Sequence, residues 1–388
     1  MGMSEDLLMR RKRVQKAMSQ MDVEGCLLTV DVNLYYMTGR VFGGYFYLPV
    51  EGEPFFFVKR PNDFSDDHVM FIRKPEQIAD GFASQGRPLP RKLLLETDEI
   101  SWNEGLRLQA TFGSPEIGNA TALMRQVRMI KTPWEIDRFR LSAQQHAKTY
   151  SEIPSCFHAG MTDVELQAAI EYRMRLNGSL GILHAFGPNM NVFMGSILTG
   201  TNAEAPSPYD FALGGSGQTP LCPIGANGTR LKEGMAVMVD MVGNYTAYLT
   251  DMTRVFALGK LPEQACRAHR VSLAIQEKIV QAARPGIPCA DLYAMAMAEV
   301  ERAALTDCFM GIRQQAKFVG HGIGLQINEL PVLTPRSKDV LQPNMMLALE
   351  PKFVIPGVGA VGIENSFLVT ETGLEKITLF EEDIIPVY

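Results

Sequence analysis

At 388 residues, with 46% hydrophobic and 21% charged positions, the chain has the length for two domains and the composition of a globular protein. A formal net charge of −6 argues against a nucleic-acid surface, and no uninterrupted apolar run reaches the roughly 18 residues of a membrane span. The six cysteines are scattered without paired spacing and read as reduced thiols, and the charged N-terminus lacks a signal-like apolar segment, so the expected compartment is the cytoplasm.

Residues 4–21 read as a first helix, with Leu7, Leu8, Val14 and Met18 at helical spacing. Its basic run, Arg10 to Arg13, reads as a solvated face. Residues 25–30 read as a buried strand, and the Asn33-Leu-Tyr-Tyr-Met-Thr-Gly39 stretch as a turn. Residues 45–50 and 54–58 flank Glu51-Gly-Glu53 as a hairpin, and 92–96 form another strand. The expected boundary lies near residue 125, giving a first domain over 1–125 and a second over 126–388.

The second domain opens with a helix running past His146. Thr132 suits the N-cap, Pro133 the first turn, and Glu135 completes a capping box. A weak repeat follows. Gly160-Met-Thr-Asp163 and Gly286-Ile-Pro-Cys-Ala-Asp291 each precede an amphipathic helix, over 161–177 and 289–305. Two α+β halves with a site between them is what such a repeat implies. The helix over 262–283 reads as plain core packing.

Five side chains that suit metal ligation lie in the last third. Asp240 ends the apolar run from Met235, and Asp251 follows eleven positions on. His321 sits between glycines in Gly320-His-Gly-Ile-Gly324. Glu350 follows the apolar run 345–349, and Glu364 precedes the strand-like 366–370. Four carboxylates and one imidazole suffice for two divalent cations and a bridging water, a layout for metal-assisted hydrolysis. The donor set suits Mn²⁺, Fe²⁺, Co²⁺ or Zn²⁺ without choosing among them. Thr253 is placed to hold Asp251.

This order and spacing resembles the family of creatinase, prolidase, aminopeptidase P and methionine aminopeptidase over nearly the whole chain. The resemblance implies an α+β fold: a pita-bread catalytic domain behind a smaller creatinase-like α/β domain. Both the Asn33–Gly39 stretch and the Ile130-Lys-x-x-x-Glu-Ile136 opening of the second domain fit it. It implies that Asp240 chelates one metal, that His321 and Glu350 serve the other, and that Asp251 and Glu364 bridge both. Glu350 would also pass a proton to the leaving nitrogen. The implied activity is cleavage of a C–N bond at a peptide N-terminus or in an Xaa-Pro dipeptide. The alternatives are hydrolysis of a small non-peptide amide or amidine, and a binding protein with little catalysis. A homodimer is the family expectation.

The chain departs from that pattern at two histidines. Seventeen residues before Asp240 stands Pro223, and seven after His321 stands Asn328. Asn328 still offers an amide hydrogen, so it and His184, in Gly181-Ile-Leu-His184, are the candidates for the missing catalytic contacts. Between them runs a Pro-, Gly- and Ser-rich loop, 204–220, with Tyr209 and Phe211 as candidate ligand contacts and Gly214, Gly215 and Gly217 as a candidate hinge.

Overall fold

The computed structural model describes residues 2–187, 193–209 and 211–387. The chain divides after Arg128 into two compact units.

The first unit runs α1 (Met3–Met18), β1 (Gly25–Leu28), α2 (Asp31–Thr38), β2 (Gly43–Pro49), β3 (Phe55–Arg60), β4 (Val69–Phe71), α3 (Ile78–Ser84), β5 (Lys92–Leu95), α4 (Trp102–Thr111), β6 (Glu116–Asn119) and α5 (Ala120–Met129). Its six strands form one mixed sheet in the order β4-β3-β2-β1-β5-β6. β2 and β3 pair antiparallel as the hairpin expected from the two runs that flank Glu51-Gly-Glu53. Tyr47, Phe55, Phe57, Phe82 and Phe112 fill the core on one face.

Two local readings change. The 33–39 stretch is helix α2, closed by Gly39 at φ +75°, the left-handed cap that glycine adopts without cost. The apolar Leu34, Tyr36 and Met37 face inward on it, a helical pattern too short to declare itself. The basic run is not simply solvated. Arg10 is buried, pairs with Asp6, donates to the Tyr36 carbonyl at 3.1 Å and lies 4.7 Å above the Tyr36 ring. Arg11 donates to the Met37 carbonyl. A guanidinium caps the end of a neighbouring helix this way, while Lys12 points to solvent.

The second unit contains α6 (Pro133–Glu152), α7 (Asp163–Leu176), β7 (Gly195–Thr199), β8 (Ala236–Gly243), β9 (Thr250–Leu258), α8 (Glu263–Ala282), α9 (Cys289–Arg302), β10 (Gly320–Gly322), β11 (Glu329–Val332), β12 (Met346–Leu349), β13 (Lys352–Ile355), β14 (Gly359–Gly362), β15 (Asn365–Val369), β16 (Leu374–Lys376) and β17 (Ile385–Val387). One sheet runs β13-β14-β7-β8-β9-β17 and the other β11-β10-β12-β15-β16. The predicted capping box starts α6: Thr132 Oγ1 accepts from the Glu135 amide, and the Glu135 carboxylate accepts from the Thr132 amide.

The repeat has a structural counterpart. Gly160 (φ +79°) and Gly286 (φ +93°) each turn the chain three residues before a helix. The amide of Asp163 bonds to Thr229 and that of Cys289 to Asp339, so each helix starts from an equivalent strand-like bridge. Two helix pairs then cover the unit. From α6 and α7, Tyr150, Leu166, Ile170 and Met174 pack on Val237, Val239, Met241 and Met252. From α8 and α9, Ala265, Ile275, Leu292 and Val300 pack on Leu347, Leu349, Phe353 and Phe367.

Candidate metal centre

Strand periodicity places the two aspartates. On β8, Val237, Val239 and Met241 face the α6–α7 layer, so Asp240 points the other way. Asp240 lies opposite Thr253 in the antiparallel register, and Asp251, two positions from Thr253, shares its face. A separation of eleven residues thus brings both carboxylates to one side of a hairpin. Asp240 lies inside β8, not at its end as the sequence suggested, because the strand continues through Met241-Val-Gly243.

The other three candidates come from the second half. His321 is the centre of β10, paired to β11 and β12. Glu350 immediately follows β12. Glu364 stands between β14 and β15 and bridges Thr253 of β9. The five side chains converge. Ligand atoms of Asp251, His321 and Glu364 lie within 4.8 Å of one another. His321 Nε2 is 3.3 Å from Glu350 Oε1. His321 Nδ1 faces the Gly322 carbonyl at 3.0 Å, which fixes that nitrogen as the N–H and turns Nε2 into the site.

Lys352, which the sequence reading did not single out, stands in the middle of this cluster. Its side chain is 0% exposed. Nζ donates to Asp240 Oδ2 at 2.8 Å, to Glu350 Oε2 at 2.7 Å and to Glu364 Oε2 at 2.7 Å. The signal was present in Glu350-Pro-Lys352: at strand spacing, residues two apart share a face. Gly362 is Lys352's partner across β13–β14, at φ +148°. A Cβ there would lie 2.6 Å from the Pro351 carbonyl and 3.2 Å from Lys352 Cγ, so glycine makes room for the lysine stem.

Burial and mutual charge set the electrostatics of the side chains. Burial pushes Asp251 well above the usual carboxylate range, and Glu364 and Asp240 push it further. Glu364 is raised to about 8, by burial first and then by Glu350. Burial works in the same direction on Glu350, but Lys352 and His321 outweigh it and hold that group down at about 2. For His321, burial disfavours the charged ring, yet the hydrogen bond and charge of Glu350 raise it to about 9.

Several buried polar groups hold the ligand-bearing segments. Thr253 Oγ1 donates to Glu364 Oε2 at 2.8 Å, so Thr253 supports Glu364 and not Asp251 as expected. The cross-strand bridge to Glu364 explains why. The Asp251 backbone is held by Ser366, whose Oγ accepts from its amide and donates to its carbonyl. The Tyr150 hydroxyl accepts from the Met241 amide and donates to the Met252 carbonyl, joining β8 to β9 beneath the aspartates. Helix α8 is more than core packing. Ser272 accepts from the Ile363 amide and donates to the Pro351 carbonyl. Gln276 donates to the Leu349 carbonyl and accepts from Asn365. Ser366, Ser272 and Gln276 were invisible to patterning because small or amide side chains among apolar ones do not disturb helical or strand periodicity.

The remaining candidates have different surroundings. Asn328 Oδ1 accepts from the Phe186 amide at 2.7 Å and Nδ2 donates to the Phe186 carbonyl at 2.8 Å, so its amide acts as a backbone mimic clamping that segment. The His184 carbonyl accepts from the Ile327 amide in the same strand-like contact. Tyr248 is fully buried between Trp134 and Phe139. In the 204–220 loop the glycines serve packing, not a hinge. A Cβ on Gly215 would lie 2.6 Å from Leu198, and one on Gly217 would overlap the Cys222 carbonyl at 2.1 Å. The Asn202 amide ties Gly225 and Ser216 together. The rings of Tyr209 and Phe211 lie 5.6 Å apart, tilted at 55°, and line a cavity of about 290 Å³ against segment 311–317, whose described lining includes none of the five metal candidates.

Residues 137–371 match metallopeptidase family M24, and residues 10–130 match the creatinase/prolidase N-terminal domain. The chain belongs to family M24. An Xaa-Pro dipeptidase of Pyrococcus furiosus is 24% identical over 393 aligned positions, covering 97% of this chain and 99% of the relative. An uncharacterized peptidase of Staphylococcus aureus is 27% identical over 293 positions, covering 75% of this chain and 74% of that one. The prolidase structure from Pyrococcus horikoshii superposes with a TM-score of 0.79 at 22% identity, over 96% of this chain and 99% of that one. The Xaa-Pro dipeptidase structure from Bacillus anthracis gives 0.80 at 22%, over 98% and 99%. The two-domain creatinase/prolidase architecture and the pita-bread catalytic domain are therefore those of this chain, and membership of M24 implies divalent metal ions. No helix among the described residues is long and apolar enough to cross a membrane.

Proposed function

We propose that this M24 chain is a metal-dependent hydrolase of a C–N bond in a small peptide, of the Xaa-Pro type. The observation that carries it is the convergence of Asp240, Asp251, His321, Glu350 and Glu364 from five separate segments onto one buried cluster. The residues fit a divalent ion. Glu364 Oε1 is buried with no hydrogen-bond partner among the described residues, on a carboxylate whose ligand atom lies within 4.8 Å of those of Asp251 and His321. When bound, the ion polarises a carbonyl and lowers the pKa of a water.

The chain's own residues orient that centre. Gly322 fixes the imidazole, Thr253 fixes Glu364, and Ser366 fixes the segment bearing Asp251. Glu350, turned toward His321 with its second oxygen on Lys352, is the proposed proton carrier. Asn328 and His184 are proposed to shape the approach by pinning residues 184–187, not by contacting a developing oxyanion.

The substrate class comes from the relatives named Xaa-Pro dipeptidase. With Pro223 and Asn328 where the resemblance implies histidines, turnover on plain Xaa-Pro dipeptides should be reduced by about 10²–10³, the cost of one lost oxyanion donor. The test is a screen of Mn²⁺-, Co²⁺- and Zn²⁺-loaded protein on Xaa-Pro dipeptides, Xaa-Pro-Yaa peptides and small amides. Slow peptide cleavage abolished by chelation and by Asp251→Asn is expected. Absence of hydrolysis in the fully loaded protein would overturn the reading. Cleavage confined to small amides would move the substrate outside peptides, the reading that Pro223 and Asn328 favour second.

A further inference from the structure

Lys352 presents three ammonium hydrogens to three carboxylates at 2.7–2.8 Å, a complete set of partners for one cation. These carboxylates belong to Asp240, Glu350 and Glu364. We propose that the Lys352 ammonium takes the place of one of two cations, so that this chain binds a single divalent ion at Asp251, His321 and Glu364. The inference rests on the metal-dependent reading above and concerns only how many ions that centre holds.

The space around Nζ and the packing of the lysine stem support it. A divalent ion coordinates oxygen at about 2.0–2.2 Å. An ion on both Asp240 and Glu364 would fall within contact distance of Nζ, which already lies 2.7–2.8 Å from the same oxygens. The lysine has little freedom to withdraw. Its side chain is fully buried, its carbonyl accepts from the Met310 amide at 2.9 Å, and its stem runs along Gly362 where even one added carbon would meet it. The other side of the cluster remains suited to an ion. Asp251, His321 and Glu364 bring ligand atoms within 4.8 Å, and Glu364 Oε1 lacks any other partner among the described residues. Glu364 is thereby divided, with Oε2 on Lys352 and Thr253 and Oε1 left for the metal.

The experiment is metal stoichiometry of the full chain, by elemental analysis after loading with Mn²⁺ or Co²⁺ and removal of free ion. One ion per chain is expected for the natural sequence. Lys352→Ala should gain a second ion. Asp240→Asn should keep one, because Asp240 serves the ammonium, whereas Asp251→Asn should lose it. Two ions per chain in the natural protein would overturn the inference and leave the hydrolase reading standing. No retained ion would overturn both. Loss of the ion in Asp240→Asn would also overturn the inference, and the count in the natural protein decides the matter even where a variant fails to fold.

Discussion

Thr253 and His146 show how much a single buried polar group carries here. Thr253 Oγ1 spends its hydrogen on Glu364, the carboxylate shared between Lys352 and the candidate ion. Thr253→Val keeps the shape and removes that bond. Divalent-ion affinity should fall by about 10-fold or more, the usual cost of losing a group that orients a ligand. Titration calorimetry checks this, and unchanged affinity would make Thr253 a packing residue. His146 is buried beside Thr250 Oγ1 at 3.0 Å, with burial first and Arg254 second pushing its pKa down to about 3 from 6.5. The folded state therefore holds the neutral ring while the unfolded chain takes up a proton below pH 6.5. Its contribution is complete above that pH and declines on acidification by roughly 1.4 kcal/mol per pH unit. Urea midpoints at pH 7.5 and 5 should fall more steeply for the natural protein than for His146→Gln, and parallel profiles would exclude it as the source. At this scale the sequence spoke clearly for ligands but not for their supports. A carboxylate ending an apolar run is conspicuous. Lys352, Ser272 and Gln276 are not, since their meaning depends on partners 2 to 112 positions away.

At the scale of elements, capped helices and alternating strands were legible, while packed loops were not. The Thr132–Glu135 and Thr162–Glu165 boxes mark α6 and α7 because the cap is a local chemical pattern. The 204–220 segment reads as a loose, glycine-hinged flap because Gly, Pro and Ser carry no signal of burial. The structure instead seats Leu213 among Leu198, Met238 and Val354. Deleting 206–217 would therefore expose a core, so the informative change is smaller. Leu213→Ala should cost about 2–5 kcal/mol in unfolding free energy with the ion count unaltered. A variant as stable as the natural chain would mean that the loop rides on the sheet without supporting it. Helix α8 carries the opposite lesson. Its apolar stripe was legible, but the buried Ser272 and Gln276 within that stripe are what fasten the Glu350 and Glu364 turns.

For the whole molecule, the two-part organisation was readable from length and from the capped helix at Thr132, and the five ligand candidates from their order. The number of ions was not readable, because it depends on where one lysine stem is directed. The relation between the halves of the second unit carries a further implication. Each half contributes a glycine-turned helix, and one sheet takes strands from both, yet the donors are shared unequally. Asp240 and Asp251 lie before α8, and His321, Glu350, Lys352 and Glu364 lie after it. Neither half on its own carries all five ligand candidates. The hairpin that holds the aspartates therefore depends on the segments after α8 to complete the centre, so a cut in the chain at α8 that lets the halves part should release the ion with both sets of side chains intact.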